Sequence, residues 1–154
     1  MNHSSGQKLR RFGARFIAYL WASPNTLLGA LAALVLLCLG GRARVVSGVV
    51  EVGGGWGGRA IASFPRKLSF NAMTLGHVVI GVSESALIAS REHEWVHVRQ
   101  YERWGPFFLP AYALSSLWQV LHGRRAYWDN AFEREAYAQD LQRQAGRSTS
   151  TEAK

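Results

Sequence analysis

At 154 residues the chain is long enough for one domain with an N-terminal extension. Its net charge of +8, from 18 Lys+Arg against 10 Asp+Glu, suits an anionic membrane surface or a nucleic acid. The single cysteine, Cys38, excludes an intrachain disulfide framework and sits in an apolar run as a small hydrophobe; Leu37 stands where a lipoprotein signal would need a small residue.

Residues 1–15 are polar and basic, with Lys8, Arg10, Arg11 and Arg15. From Phe16 to Leu39 the chain is apolar, interrupted once by Ser23-Pro24-Asn25. The part after the interruption falls short of the roughly 20 residues that span a bilayer, whereas the whole stretch is long enough if a Pro kink is tolerated. A membrane anchor over residues 1–43 is the expectation, spanning or re-entrant. A signal peptide cut near Ala43 and a buried core helix are the alternatives. Arg42 and Arg44 follow the segment and blunt the positive-inside bias, so the side of the membrane is not specified.

From Arg44 to Ile80 the pattern turns to β. Val45 to Val52 is rich in β-branched residues, Arg59 to Phe64 reads as a returning strand, Pro65 to Lys67 as a turn, and Ala72 to Ile80 as a third strand. The expectation is a three-stranded meander. Gly53, Gly55 and Gly58 spell a formal Gly-x-Gly-x-x-Gly, but a dinucleotide fingerprint needs a helix to follow, and the stretch reads as a hairpin tip. His77 falls in the third run; a packed histidine is the ordinary reading, with a metal ligand or a donor to a reacting carbonyl as the functional one.

A helix follows, from about Ser85 to Trp104. Ser83 or Ser85 can cap it, Glu84 favours its dipole, and Gly105-Pro106 stops it. It carries His93-Glu94-Trp95-Val96-His97, a His-Glu-x-x-His. Four residues apart on a helix, the two imidazoles project from one face and can close on a single cation. Glu94 lies about 100° further round, beside the metal and within reach of its water. That is the logic of zinc hydrolases, with two His ligands and a Glu as general base. Gln100 and Trp104 share the histidine side; Val98 and Tyr101 share that of Glu94. The bland alternative is a solvated helix whose histidines pair with Glu92, Glu94 or Glu102.

Two imidazoles hold zinc poorly, and catalytic sites take three protein ligands plus water. Beyond an apolar stretch, read as a helix from Pro110 to about Leu121 that packs on the first or dips into the membrane interface, comes a basic turn with His122, Arg124 and Arg125. A further helix, capped by Asp129 or Asn130, runs to about Ala145 and ends at Gly146. It carries Glu133 and Glu135. Residues 147–154 read as a disordered tail.

In these pieces the chain resembles the gluzincin class of metallopeptidases, in which a Glu on a later helix completes a His-Glu-x-x-His site. Membrane members of that class often carry a small residue and an Asp three and four residues after the ligand Glu. Glu133 with Ala136 matches the first part, with Tyr137 where the Asp would be; Glu135 is the substitute. A capping box between Asn130 and Glu133 is the structural alternative. The span from Thr74 to Tyr137 also resembles a small bacterial family of membrane-associated metallopeptidase-like proteins, through 74–79, 93–105, 110–112 and 130–137. That resemblance covers under half the chain and implies a metal site without naming a substrate. It implies an α+β fold over 44–146, a small zincin-like domain, with Leu75 to Ile80 as the strand that pairs with extended substrate.

The expected function is therefore a membrane-associated zinc metallopeptidase. Zn2+ is held by His93, His97 and Glu133, Glu94 acts as general base, and a peptide or protein is the substrate. Glu102, Asp129 or Asp140 are candidates to orient the imidazoles. Tyr112, Tyr127, Tyr137 or His122, and His77, are candidates for the oxyanion. Two other classes stay open: an inactive metal-binding membrane protein, and a basic membrane-associated adaptor without metal. Nucleic acid is the weakest partner, since the Trp and Tyr residues fall in apolar runs instead of alternating with basic ones.

Overall fold

The computed structural model describes residues 3–64 and 70–152. It is an α+β protein in which one sheet lies between helices. In chain order the elements are α1 (His3–Cys38), β1 (Arg42–Val46), β2 (Val49–Gly53), α2 (Gly55–Ala62), β3 (Ala72–Leu75), β4 (Val78–Gly81), α3 (Glu84–Trp104), a 3-10 turn (Gly105–Phe107), α4 (Phe108–Leu121) and α5 (Ala131–Glu152).

The sheet departs from the expected meander. It has four strands in the order β1-β2-β4-β3, with β2 and β4 parallel and both outer pairs antiparallel. Each of two runs expected as a single strand hides a tight hairpin. Val45 to Val52 folds back at Ser47-Gly48, both at positive φ (53° and 87°), the backbone of a tight two-residue turn. Ala72 to Ile80 folds back at Gly76, φ 62°, where Thr26 of α1 presses against the turn.

The stretch expected as a hairpin tip, Gly53 to Gly58, and a return strand, Arg59 to Phe64, instead forms the helix α2 over Gly55–Ala62. Gly57 packs against Leu36 and Leu39 and Gly58 against the Val82 carbonyl, where a Cβ would not fit. Gly58 serves close approach to a backbone and Gly57 to leucine side chains of α1 and its end, which composition alone does not distinguish from a flexible loop. A helix does follow the glycine motif after all. Its first turn is spent on protein partners, with Trp56 N–H donating to Leu39 O and Gly58 N–H to Gly54 O. The expected turn at Pro65 to Lys67 lies outside the described residues.

Side-chain alternation divides the core. Val52, Val78 and Ile80 face α1, against Ala33 and Leu36. Val49 and Val79 face the other way, against Leu87 and Val98 of α3. A third cluster, Ala22, Tyr101, Phe108 and Phe132, joins α1, α3, α4 and α5. On the α3 face of the sheet, Glu51 is 1% exposed and bonded by Arg91 and Arg44, both at 2.7 Å.

Within α1, Arg15–Cys38 is long and apolar enough to cross a membrane. The helix is continuous through Pro24, so no hairpin pivots there. Proline cannot donate to the carbonyl four residues back; Ser23 Oγ donates to that Leu20 carbonyl instead, at 2.7 Å. Nor is α1 a detached anchor. Asn25, 3% exposed, donates to the Gly105 carbonyl at the end of α3, and Tyr19 Oη donates to Gly48 O. At the other end of the chain, α5 passes through Gly146, its expected end, to Glu152.

Candidate metal centre

Helix α3 starts and stops where its sequence signals lie. Ser83 Oγ accepts the Ala86 N–H, and Gly105 ends the helix at φ 55°. Its burial is one-sided: Glu94, Val96, His97, Val98, Gln100 and Tyr101 are buried. Helix α5 packs across that side through Phe132 and Ala136, which brings Glu133 to the histidines. Asn130 Oδ1 caps α5 by accepting the Phe132 N–H, while the Asn130 N–H goes to Tyr127 O. The Glu133 carboxylate is thus not the partner of that N–H, and the capping-box alternative does not form.

The three side chains converge. His93 Nε2 lies 3.3 Å from His97 Nε2 and 3.3 Å from Glu133 Oε2, and His97 Nε2 lies 3.4 Å from Glu133 Oε1. For metal–ligand bonds of about 2.0–2.1 Å, tetrahedral geometry separates neighbouring ligand atoms by about 3.3 Å. The spacing fits.

The ring tautomers follow from what holds the other nitrogens. His93 Nδ1 is 3.0 Å from Asp140 Oδ2. His97 Nδ1 is 2.8 Å from Gln100 Oε1. The Gln100 amide is oriented by its own nitrogen, which donates to Phe132 O and to Glu135 Oε2, neither of which can donate in return. Both Nδ1 atoms therefore carry hydrogen, and both neutral Nε2 atoms turn lone pairs toward Glu133. Three acceptors this close need a cation or protons between them. Without a metal, burial lowers the affinity of both histidines for protons, but Glu133, joined by Asp140 at His93, outweighs it and holds them above their ordinary 6.5. Glu133 answers in kind: burial raises it, and the two histidines and Tyr112 carry it well below 4.5.

Glu94 points from the same helix toward the sheet, where Thr74 Oγ1 of β3 donates to its Oε2 at 2.7 Å. It is 5% exposed. Burial raises its pKa above the ordinary carboxylate value, against the lowering effect of Thr74 and the histidines.

The remaining candidates separate clearly. Glu135 is not at the triad; it orients Gln100. Glu102 bonds His77, and Asp129 bonds Arg125, which leaves Asp140 as the imidazole partner among the three acids considered. His77 is stacked on Tyr19 at 3.8 Å, with its ring nitrogens at Glu102 and Thr26. It belongs to the packing of α1. His122 is exposed and lies against the Trp118 carbonyl. Tyr112 Oη donates to Glu133 Oε1 at 2.7 Å, holding the carboxylate of the candidate triad. Tyr137 packs on His93, ring centroids 4.6 Å apart, and its hydroxyl lies 3.5 Å from that of Tyr127. Thr74 and the orienting role of Gln100 escaped the sequence. Gln100 was legible on the histidine face, three residues after His97; Thr74 meets Glu94 only through the tertiary fold.

No family model, curated protein or solved structure matches the chain. The functional reading therefore rests on this geometry.

Proposed function

We propose that the protein is a membrane-associated zinc-dependent metallopeptidase of gluzincin type, with a small zincin-like domain. The observation that carries the reading is the convergence of two imidazole lone pairs and a buried carboxylate within 4.8 Å of one another, with each imidazole held by an acceptor behind it. Two nitrogens and a carboxylate oxygen from a helical His-Glu-x-x-His and a later Glu suit zinc and leave a fourth position open. Zinc held there supplies a Lewis acid that polarises a carbonyl and lowers the pKa of water.

The chain's own residues do the rest. Glu94 accepts the proton of the attacking water and passes it to the leaving amine; its raised pKa brings it toward the operating range of a general base. Thr74 aims its carboxylate. Asp140 and Gln100 keep the imidazoles in the ligating tautomer, and Tyr112 keeps Glu133 in place. The strand for an extended peptide is β3 rather than the expected Leu75 to Ile80, because β4 is paired on both sides and β3 is the sheet edge beside α3. Helix α1 supplies the membrane attachment.

The test is zinc content per chain in detergent-purified protein, with His97→Ala, Glu133→Ala and Glu135→Ala alongside, followed by peptide hydrolysis. Stoichiometric zinc lost in the first two variants and kept in the third is expected. Glu94→Gln should keep zinc and lose about 10²–10⁴-fold in turnover. Zinc without any hydrolysis would instead favour a metal-binding membrane protein, and no zinc would sink both.

A further inference from the structure

Helix α4 is built inside out. Its protein-facing stripe is largely polar. Tyr112 donates to Glu133, Ser115 Oγ accepts the Ala131 N–H, Ser116 Oγ accepts from Asn130, and Gln119 accepts from Arg124. Its outward stripe is apolar: Leu114, Leu117, Trp118, Val120 and Leu121 are each more than half exposed. From Phe108 to Leu121 it carries no charged residue. A helix facing water has the opposite polarity. An apolar exterior around a hydrogen-bonded polar interior is what a hydrocarbon solvent demands.

The outward face of α1 shows the same inversion. Asn25 and Thr26 bond inward, while Leu20, Leu27, Leu31 and Leu34 are well exposed. Helix α1 meets the 3-10 turn that leads into α4, where Trp21 and Phe107, both exposed, lie 6.2 Å apart. At its far end α4 runs into Arg124 and Arg125, both exposed, and then into the exposed aromatics Tyr127 and Trp128. Apolar, then basic and aromatic, is the order met on passing from acyl chains to anionic headgroups.

We infer that α4 and the turn after it are a second membrane-docking surface, separate from the α1 attachment, whose partner is an anionic lipid bilayer. Fourteen residues rise about 21 Å, short of a roughly 30 Å hydrocarbon core, so α4 dips into one leaflet and does not span. The docked turn also roofs the candidate metal centre: Trp128 stacks on Tyr137, and Tyr137 packs on His93. On the metallopeptidase reading, on which this last step rests, the polypeptides that reach the site are those lying at the headgroup layer.

The experiment uses the full chain in nanodiscs of phosphatidylcholine and phosphatidylglycerol. Cys38, exposed and the single cysteine, is replaced by Ser, and a nitroxide is attached at Leu117→Cys or Leu121→Cys. Leu31→Cys serves as the lipid reference and Ala138→Cys, exposed on α5, as the aqueous one. Collision with oxygen and with a water-soluble nickel chelate is then read at each site. High oxygen and low nickel accessibility at 117 and 121, several-fold apart from position 138 in both reagents, is expected. Nickel accessibility equal to that at 138 overturns the inference. So does exclusion of both reagents, with dipolar broadening if a second copy covers the face and without it if another protein segment does. The readout involves neither zinc at the candidate site nor turnover, so its failure and failure of the peptidase reading are separate results.

Discussion

Asp140 accepts the Nδ1 hydrogen of His93 at 3.0 Å, seven residues beyond Glu133 on the same helix. One helix therefore supplies both a candidate ligand and the group that orients another. The resemblance calls for an Asp four residues after the Glu, where this chain has Tyr137; Asp140 lies about one turn further on.

The first prediction follows from that bond. Asp140→Ala should weaken zinc binding about 10–100-fold, the usual cost of losing an outer partner of a ligating histidine. Asp140→Asn, which keeps an acceptor oxygen, should recover most of it. Competition titration against a chelator of known affinity reads both, and equal loss in the two variants would speak against a hydrogen-bonding role.

Thr74 offers the second. Its hydroxyl lowers the pKa of Glu94 by donating to the carboxylate, against burial that raises it. Thr74→Val removes the donor, so the Glu94 pKa rises further. A general base works ionised, and the acid limb of the kcat/KM profile should move to higher pH. An unmoved limb would mean that another group sets it.

Zinc and pH provide the third. In metal-free protein His93 and His97 are held above 6.5 in the fold. The stability they contribute is complete below 6.5 and is lost as pH rises through their folded values. Glu133, depressed, contributes above 4.5 and loses that as pH falls through its own folded value. Zinc replaces the histidine protons, so it should raise Tm more above the folded histidine values than below 6.5. Calorimetry of loaded and chelator-stripped protein across this window checks the sign.

A fourth concerns Glu51 on β2, outside the candidate triad. Burial pushes its carboxyl up, but hydrogen bonds from Arg91 and Arg44 outweigh that and bring it below 4.5. Its contribution to stability is therefore present above about 4.5 and is lost as pH falls through the folded value. Glu51→Gln should cost about 2–3 kcal/mol near neutrality, less than the roughly 3–5 kcal/mol of a fully buried pair, because water reaches both guanidiniums. Urea unfolding of the two proteins at neutral and acid pH should show the gap closing as pH falls.

How much was legible differs by scale. Local signals did well on α3, since the Ser83 cap, the Gly105 stop and the i,i+4 histidines act within one element. Glu133 and Glu135 point to different sides of α5, and choosing between them needed the packed side, marked by Phe132 and Ala136. The sheet was read least well. Ser47-Gly48 and Gly76 turn the chain within runs that composition marks as continuous β, and Gly57 and Gly58 look like a loop because their reason lies in other segments, the Leu36 and Leu39 side chains and the Val82 carbonyl. Local pattern does not carry information about what another segment will press against it.

The place of α1 in the core has a last consequence. Ala33 and Leu36 complete the cluster around Val52, Val78 and Ile80, and Asn25 closes the end of α3. Cutting the chain after α1 would not release an intact domain, as severing a simple tether does. It would strip one wall from the sheet. On the proposed membrane attachment, the folded protein is held at its bilayer through an element of its own core, and its turnover would begin with extraction, not with shedding.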